Sequence, residues 1–428
     1  MKQVYRLPRG GLYLSNLKDS LKDLPITNAA LPPLAIVSMV QQGSEEATCL
    51  VNIGDEVKEG MLIGKGKGKY GASVHSSIPG IVRQIYSIPL PGGSVSPAVC
   101  IELGGEFDRL GKKEIPAAWQ ALPYRDLQNL IAEKGVTDSS LRREGDLSHL
   151  IINGIESEPY LCSEYRLLIE KPAAIIEGIR ILQKILAPKR TIVVLEEMDQ
   201  QELSSKASPP SLHTLSEQEA IQIAYVEKKY PIGDAHQLKK IFKSEDSSND
   251  ILVISLTTVH AVYEAVVLRK PFVERTLTIG GQAIRKPGNL KVRIGTPIID
   301  LVEECGGFRK PPMKVVCGGP FRGKGIYDLR TPVTKETSAV LFLTEEEIQQ
   351  NRRTPCINCG RCIEVCPEGL NPSRLFKCID RGLYKEALAD SLMKCTECGC
   401  CAYICPARIP LVQGLQMGKY WGLKEINT

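Results

Sequence analysis

The stretch CTECGCCAYICPARIP, residues 395–410, places five cysteines within eleven positions and closes on a proline. Cys395, Cys398, Cys401 and Cys405, with Pro406 behind them, follow the spacing C-x2-C-x2-C-x3-C-P, and Cys400 falls outside that register. Residues 356–369, CINCGRCIEVCPEG, repeat the pattern with Cys356, Cys359, Cys362 and Cys366 before Pro367. This is the run that holds a [4Fe-4S] cubane, whose four iron corners each take one soft thiolate. Three cysteines set two residues apart wrap one cluster on a tight loop, and the fourth, heading the next element, reaches across to the other. The expected pairing is therefore crossed: Cys356, Cys359 and Cys362 with Cys405, and Cys395, Cys398 and Cys401 with Cys366. Four-cysteine zinc sites also use C-x2-C, but a zinc ribbon supplies two such pairs per ion, not two quartets each ending in Cys-Pro.

The segment between the blocks, NPSRLFKCIDRGLYKEALADSLMK, offers Asn371 as a helix cap with Pro372 at the first helical position. Gly382 breaks that run before a second helix. Residues 346–428 thus read as a helical dicluster 2x[4Fe-4S] ferredoxin domain. Lys394, Arg361 and Arg408 lie near the cysteines in the chain. They could raise cluster potentials by their charge or be plain solvated groups.

Working upstream, RTLTIGGQAIRKPGNLKVRIGTPIIDLVEECGGF alternates strands with glycine and proline turns before one short helix, a compact β-grasp (SLBB-like) unit within 269–345. The following VVCGGPFRGKGIYDL satisfies G-x-x-x-x-G-K through Gly318, Gly323 and Lys324. Gly325 replaces the hydroxyl residue that would bind Mg2+, so these glycines read as tight turns and not as an ATP site.

Residues 119–268 change rhythm. HLIINGIES, RTIVVLEEM, AIQIAYVEK and NDILVISL are buried-strand runs, and PAAIIEGIRILQKIL carries apolar residues at helical spacing. Strand, helix, strand in that order predicts a parallel, doubly wound, Rossmann-like α/β domain with ligands at the carboxyl ends of the strands, at NGIESEPY and LEEMDQ. ELSSKASPPSLHTLSEQEA reads as a polar loop. In residues 1–118, CLVNIGDEVKEGMLIGKG and ASVHSSIPGIVRQIYSI alternate short β runs with turns at Gly54-Asp55, Glu59-Gly60 and Pro79-Gly80. That predicts an N-terminal barrel-sandwich-like β domain, similar to the lipoyl and biotinyl carriers. Its GKGKGKYGA turn is longer and less regular than a carrier's lysine hairpin, so no modified lysine is expected. The chain is accordingly multidomain, α/β plus β.

Composition narrows the function classes. Among 428 residues, 54 basic and 49 acidic side chains leave a net charge of +5, too small and dispersed for nucleic acid. The longest apolar tract, ILVISLTTVHAVYEAVVL, carries His260 and Glu264 and does not read as membrane-spanning, and the N-terminus lacks an apolar secretory core. Iron–sulfur ligation without an export signal points to the cytoplasm. Cys49, Cys100, Cys162, Cys305 and Cys317 read as structural thiols.

Taken together, the chain resembles the C subunit of the Rnf electron transport complex, a membrane-bound, ion-translocating NAD:ferredoxin oxidoreductase. The likeness rests on GGLYLS, NIGDEVKEGMLIG, VHSSIPGIV, IINGIESEPY, IIEGIRILQ, KKYPIGDAHQLKK, KPGNLKVRIGTPIIDLVEECGGF, CGGP and the two cysteine blocks, in that order. The resemblance implies FMN in the α/β domain, as in the NADH-oxidising subunit of complex I, with NADH as hydride donor. Asn153, Glu156, Ser157, Glu158 and Pro159 match N-x-x-E-S-E-P, and Glu196 and Glu197 fall where that family places acidic residues near flavin and nucleotide. Ser255 stands where relatives often have asparagine. The cofactor-binding expectation is thus Asn153, Glu156, Glu158, Glu196 and Glu197; the acidic members equally suit turn or capping roles. The family's glycine-rich phosphate loop is replaced by LIAEKGVTDSSLRREGDLSHL, which keeps Gly135 and Gly145 alone. The implied role is a peripheral subunit on the cytoplasmic face of the inner membrane. Its partners would be membrane and iron–sulfur subunits and a ferredoxin or flavoprotein. A soluble cobalamin-reductase-like protein and a flavin-free relay or adapter remain open beside it.

Overall fold

The computed structural model describes residues 4–15, 17–41, 46–67, 71, 73–104, 118–136, 138–142, 146–197, 221–243, 250–348 and 352–427. Gly145, residues 68–70 of the GKGKGKYGA turn, residues 198–200 of LEEMDQ and the polar loop at 202–220 lie outside them.

The near-continuous apolar runs form a parallel sheet because both of its faces are covered. His149–Asn153 lies between Arg190–Glu196 and Ile251–Ser255, and Ile221–Val226 extends the sheet beyond Arg190–Glu196. Pro172–Leu186 starts with proline in its first turn and ends at Ala187, whose φ of 42° is left-handed. It packs on Leu256–Val266 through Gly178, where a Cβ would stand 2.4 Å from the carbonyl oxygen of Val259. Ser255 caps that second helix by accepting from the Thr258 N–H at 3.2 Å. Ala235–Ile241 covers the opposite face with Leu238 and Phe242, which completes the doubly wound arrangement.

Two small antiparallel sheets, one containing Leu34–Ser38, Gly80–Pro89 and Val95–Leu103, the other Leu62–Lys65, enclose the first β core. Ala35, Val37, Ile63, Val82 and Ile101 are wholly buried between them. Glu274–Gly280, Gly288–Arg293, Lys314–Cys317 and Ala339–Leu343 form the second β unit, with Ile298–Glu304 as its short helix. The N-terminal residues are shared out: Val4–Tyr5 adds a strand to the parallel sheet, and Ile26–Asn28 pairs with Gly288–Arg293.

Among its described residues the last unit contains short helices joined by loops, and no strand. Asn371 caps Pro372–Asp380 by accepting from the Arg374 N–H at 3.1 Å, and Gly382, at φ 73°, turns the chain into Tyr384–Ala389. The closing helix Leu411–Asn427 presents Gly414, Gly418 and Gly422 along one stripe, against Phe376, Ile379 and Leu388. No helix among the described residues is long and apolar enough to cross a membrane.

One lysine joins three of these units. Lys335, on the second β unit and almost wholly buried, donates to the carbonyls of Gly135 at 2.6 Å and Ser73 at 3.1 Å. Its Nζ lies 5.6 Å from the centre of the Phe272 ring. Burial lowers its pKa from 10.5 to about 7, which suits a neutral amine whose two N–H bonds meet two carbonyls.

Candidate iron–sulfur and nucleotide sites

The two cysteine blocks trace the same backbone path. Asn358 and Glu397, Gly360 and Gly399, and Gly369 and Arg408 occupy equivalent places, and all six are left-handed, with φ between 52° and 83°. Such turns curl successive N–H groups toward an enclosed anionic centre. Gly360 and Gly399 then start the short helices Arg361–Glu364 and Cys400–Ile404.

The thiols fall into two neighbouring groups. Cys356, Cys359 and Cys362 line one small cavity with Cys405 of the other block, walled by Ile409 and Leu411. In the second set the thiols of Cys366, Cys395 and Cys398 act electrostatically on Cys401. Burial pushes Cys366, Cys395 and Cys401 up, whereas Cys398 is lowered, first because Cys400 hydrogen-bonds to it. The first set is the outer one, with Cys359 exposed, Cys356 and Cys362 half-buried and Cys405 buried; in the second, the inner one, Cys395 is half-buried and Cys366, Cys398 and Cys401 are buried. Among the described residues, no three His, Cys, Asp or Glu side chains converge on a single ion-sized point. Four soft thiols spread around a cavity fit a multi-iron cluster.

Side chains from far along the chain hold the inner loop. Lys419 Nζ donates to the Cys395 carbonyl at 2.6 Å, Arg322 to Thr396 at 3.1 Å, and the Tyr230 hydroxyl to Cys398 at 2.5 Å. Gly10 passes so close to Cys366 that a Cβ would stand 2.6 Å from its carbonyl carbon, and the Gly11 N–H donates to Val365 at 2.9 Å. The GGLYLS motif thus abuts the cluster module.

At the carboxyl ends of the parallel strands lies an open cleft. Glu156, Glu196 and Glu197 line it, together with Lys18, Lys22 and Lys228. Glu156 is fixed by the Tyr165 N–H at 3.0 Å and the Ser163 hydroxyl at 3.3 Å, while Lys18 donates to its carbonyl. The other two expected residues are elsewhere. Asn153 donates to the Gly233 carbonyl at 2.9 Å and accepts from Ile155 at 3.1 Å, so it shapes the turn. Glu158 points to the CGGP loop, where one carboxylate oxygen accepts from Phe321 N–H at 2.8 Å and Arg322 N–H at 3.3 Å. Burial raises its pKa against the pull of those donors.

The three lysines are phosphate-compatible donors and the carboxylates can accept from sugar hydroxyls, so the cavity's chemistry fits a nucleotide. Gly135, by contrast, gives its carbonyl to Lys335. Sequence reading missed the lysines: Lys18 and Lys22 arrive from the N-terminal segment, and no local pattern marks them.

Two thiol quartets beside a parallel α/β domain define an iron–sulfur subunit of an electron-transport oxidoreductase. Comparison with known proteins agrees in each part of the chain. Residues 8–106 match the RnfC barrel sandwich hybrid domain, 136–262 the Nuo51 FMN-binding domain, 276–323 the SLBB domain and 347–406 a 4Fe-4S dicluster domain. The chain is 33% identical to the C subunit of the ion-translocating oxidoreductase complex of Rhodobacter capsulatus, over 96% of this chain and 82% of the relative. It is 31% identical to the C subunit of the proton-translocating ferredoxin:NAD(+) oxidoreductase complex of Clostridium ljungdahlii, over 89% of this chain and 86% of that one. The corresponding C subunit from Edwardsiella ictaluri is 32% identical over 86% of this chain and 48% of its own length. The chain belongs to the RnfC family, the C subunits of ion-translocating oxidoreductase complexes.

Proposed function

We propose that this chain is the peripheral electron-transfer subunit of an Rnf-type NAD:ferredoxin oxidoreductase, exchanging electrons through two [4Fe-4S] clusters. The observation that carries this reading is the sorting of eight thiols into two crossed sets. When bound, the clusters supply one-electron exchange. Cys356, Cys359, Cys362 and Cys405 hold the outer one, and Cys366, Cys395, Cys398 and Cys401 the inner. We divide the chain at 1–118, 119–268, 269–345 and 346–428.

FMN and NADH are the candidates for the α/β cavity. There Lys18, Lys22 and Lys228 would meet phosphate, and Glu156, Glu196 and Glu197 would orient the sugar and exclude stray anions. The partners are the complex's membrane and iron–sulfur subunits, with a ferredoxin or flavoprotein as exchange partner, and the chain docks on them from the cytoplasmic face.

An anaerobic NADH titration of the cluster-replete protein, following flavin and iron–sulfur absorbance together, tests the entry point. Flavin bleaching followed by cluster reduction supports NADH entry here. Clusters reducible by dithionite but silent to NADH would place the entry on another subunit.

A further inference from the structure

Arg322 sits where three units meet. Its backbone N–H and that of Phe321 are held by Glu158 of the α/β domain. The Phe321 ring lies 4.5 Å from Tyr230 and 5.2 Å from Tyr403, centre to centre, and a Cβ on Gly399 would stand 3.0 Å from it. So fixed, the Arg322 guanidinium pairs with Asp234 and donates to the Thr396 carbonyl at 3.1 Å, inside the loop between Cys395 and Cys398. The Asp234 side chain is 9% exposed, and its other oxygen caps Ala235–Ile241 by accepting from the His236 N–H at 2.8 Å.

We propose that Arg322 and Asp234 set the reduction potential of the inner cluster, with opposite signs. The proposal rests on the assignment of that cluster to Cys366, Cys395, Cys398 and Cys401. Reduction adds one negative charge to the cluster. A fixed cation against its binding loop favours the reduced form, and a fixed anion disfavours it. Arginine keeps its charge at every working pH. Within the pair, Arg322 is the member bonded to the loop, while Asp234 lies behind it on the α/β domain. Because the two come from different units, the potential also reports how the domains are docked.

The test is a potentiometric titration of the whole chain, monitored by EPR, in wild type, Arg322→Gln, Arg322→Lys and Asp234→Asn. At a fixed solution potential, Arg322→Gln is expected to lower the reduced-to-oxidised ratio of the inner cluster about tenfold, which is 59 mV for one electron. Asp234→Asn, which retains a capping side chain, is expected to raise that ratio. Arg322→Lys is expected to stay near wild type, and the outer cluster to stay in place throughout. A merely structural role gives another pattern: both neutral variants break the same pair, so both would shift the cluster the same way. That result, or no shift in either variant, overturns the proposal. A wild-type chain that reconstitutes without two cluster signals would overturn the cluster assignment itself, and this inference with it.

Discussion

Replacing Lys335 by methionine removes the amine that joins three units while keeping a buried stem of similar length. The wild-type amine is neutral in the folded chain above about pH 7 but charged in the unfolded chain up to its ordinary 10.5. Between those values the unfolded state binds the extra proton, so this group makes stability rise with pH. The slope approaches 1.36 kcal/mol per pH unit, giving a gain of about 2.5 kcal/mol from pH 7.5 to 9.5. Lys335→Met loses that slope. It also leaves the Ser73 and Gly135 carbonyls without their donor, a cost of about 1–3 kcal/mol that does not vary with pH. The assay is anaerobic urea unfolding followed by Trp119, 6% exposed in the α/β core, in a Trp421→Phe background for both chains. The expected outcome is a difference between wild type and variant that grows by about 2.5 kcal/mol across the window. Parallel curves would refute the neutral buried amine.

Three further outcomes follow from contacts. Cys356→Ser and Cys405→Ser should each abolish the same EPR signal, and Cys366→Ser and Cys398→Ser the other, with iron falling from about eight to about four per chain. Gly418→Val would drive its Cβ to 2.3 Å from Ile379 Cδ1. It should destabilise the closing helix by about 1–3 kcal/mol, read by limited proteolysis of residues 411–427. Glu158→Ala strips the acceptor from two N–H groups at a cost of about 1–3 kcal/mol, and hydrogen exchange at Phe321 and Arg322 should accelerate while Asn153 stays protected.

Much of this architecture was legible because its signals are local. The cysteine spacing, the apolar runs of the four parallel strands, and the Asn371, Pro372 and Gly382 punctuation each act over a few residues, and each appears at its expected place. The strand Val4–Tyr5 was not legible. A two-residue strand carries no periodicity, and its partner, Tyr225 and Val226, lies far along the chain. The same holds for Ile26–Asn28. Glu158 and Glu156 share one short motif, yet a sharp turn at Tyr160, φ 69°, follows them, and they serve different cavities. Sequence proximity singled out Lys394, Arg361 and Arg408 as cations near the clusters. The guanidinium that reaches the inner loop belongs to Arg322, delivered by tertiary packing.

The most direct test of the two-cluster reading is an anaerobic dithionite titration of the reconstituted chain with EPR detection and metal analysis. Two distinct [4Fe-4S] signals, about two electrons taken up per chain and no stoichiometric zinc are the expected result. One signal, or zinc with EPR-silent protein, would contradict it.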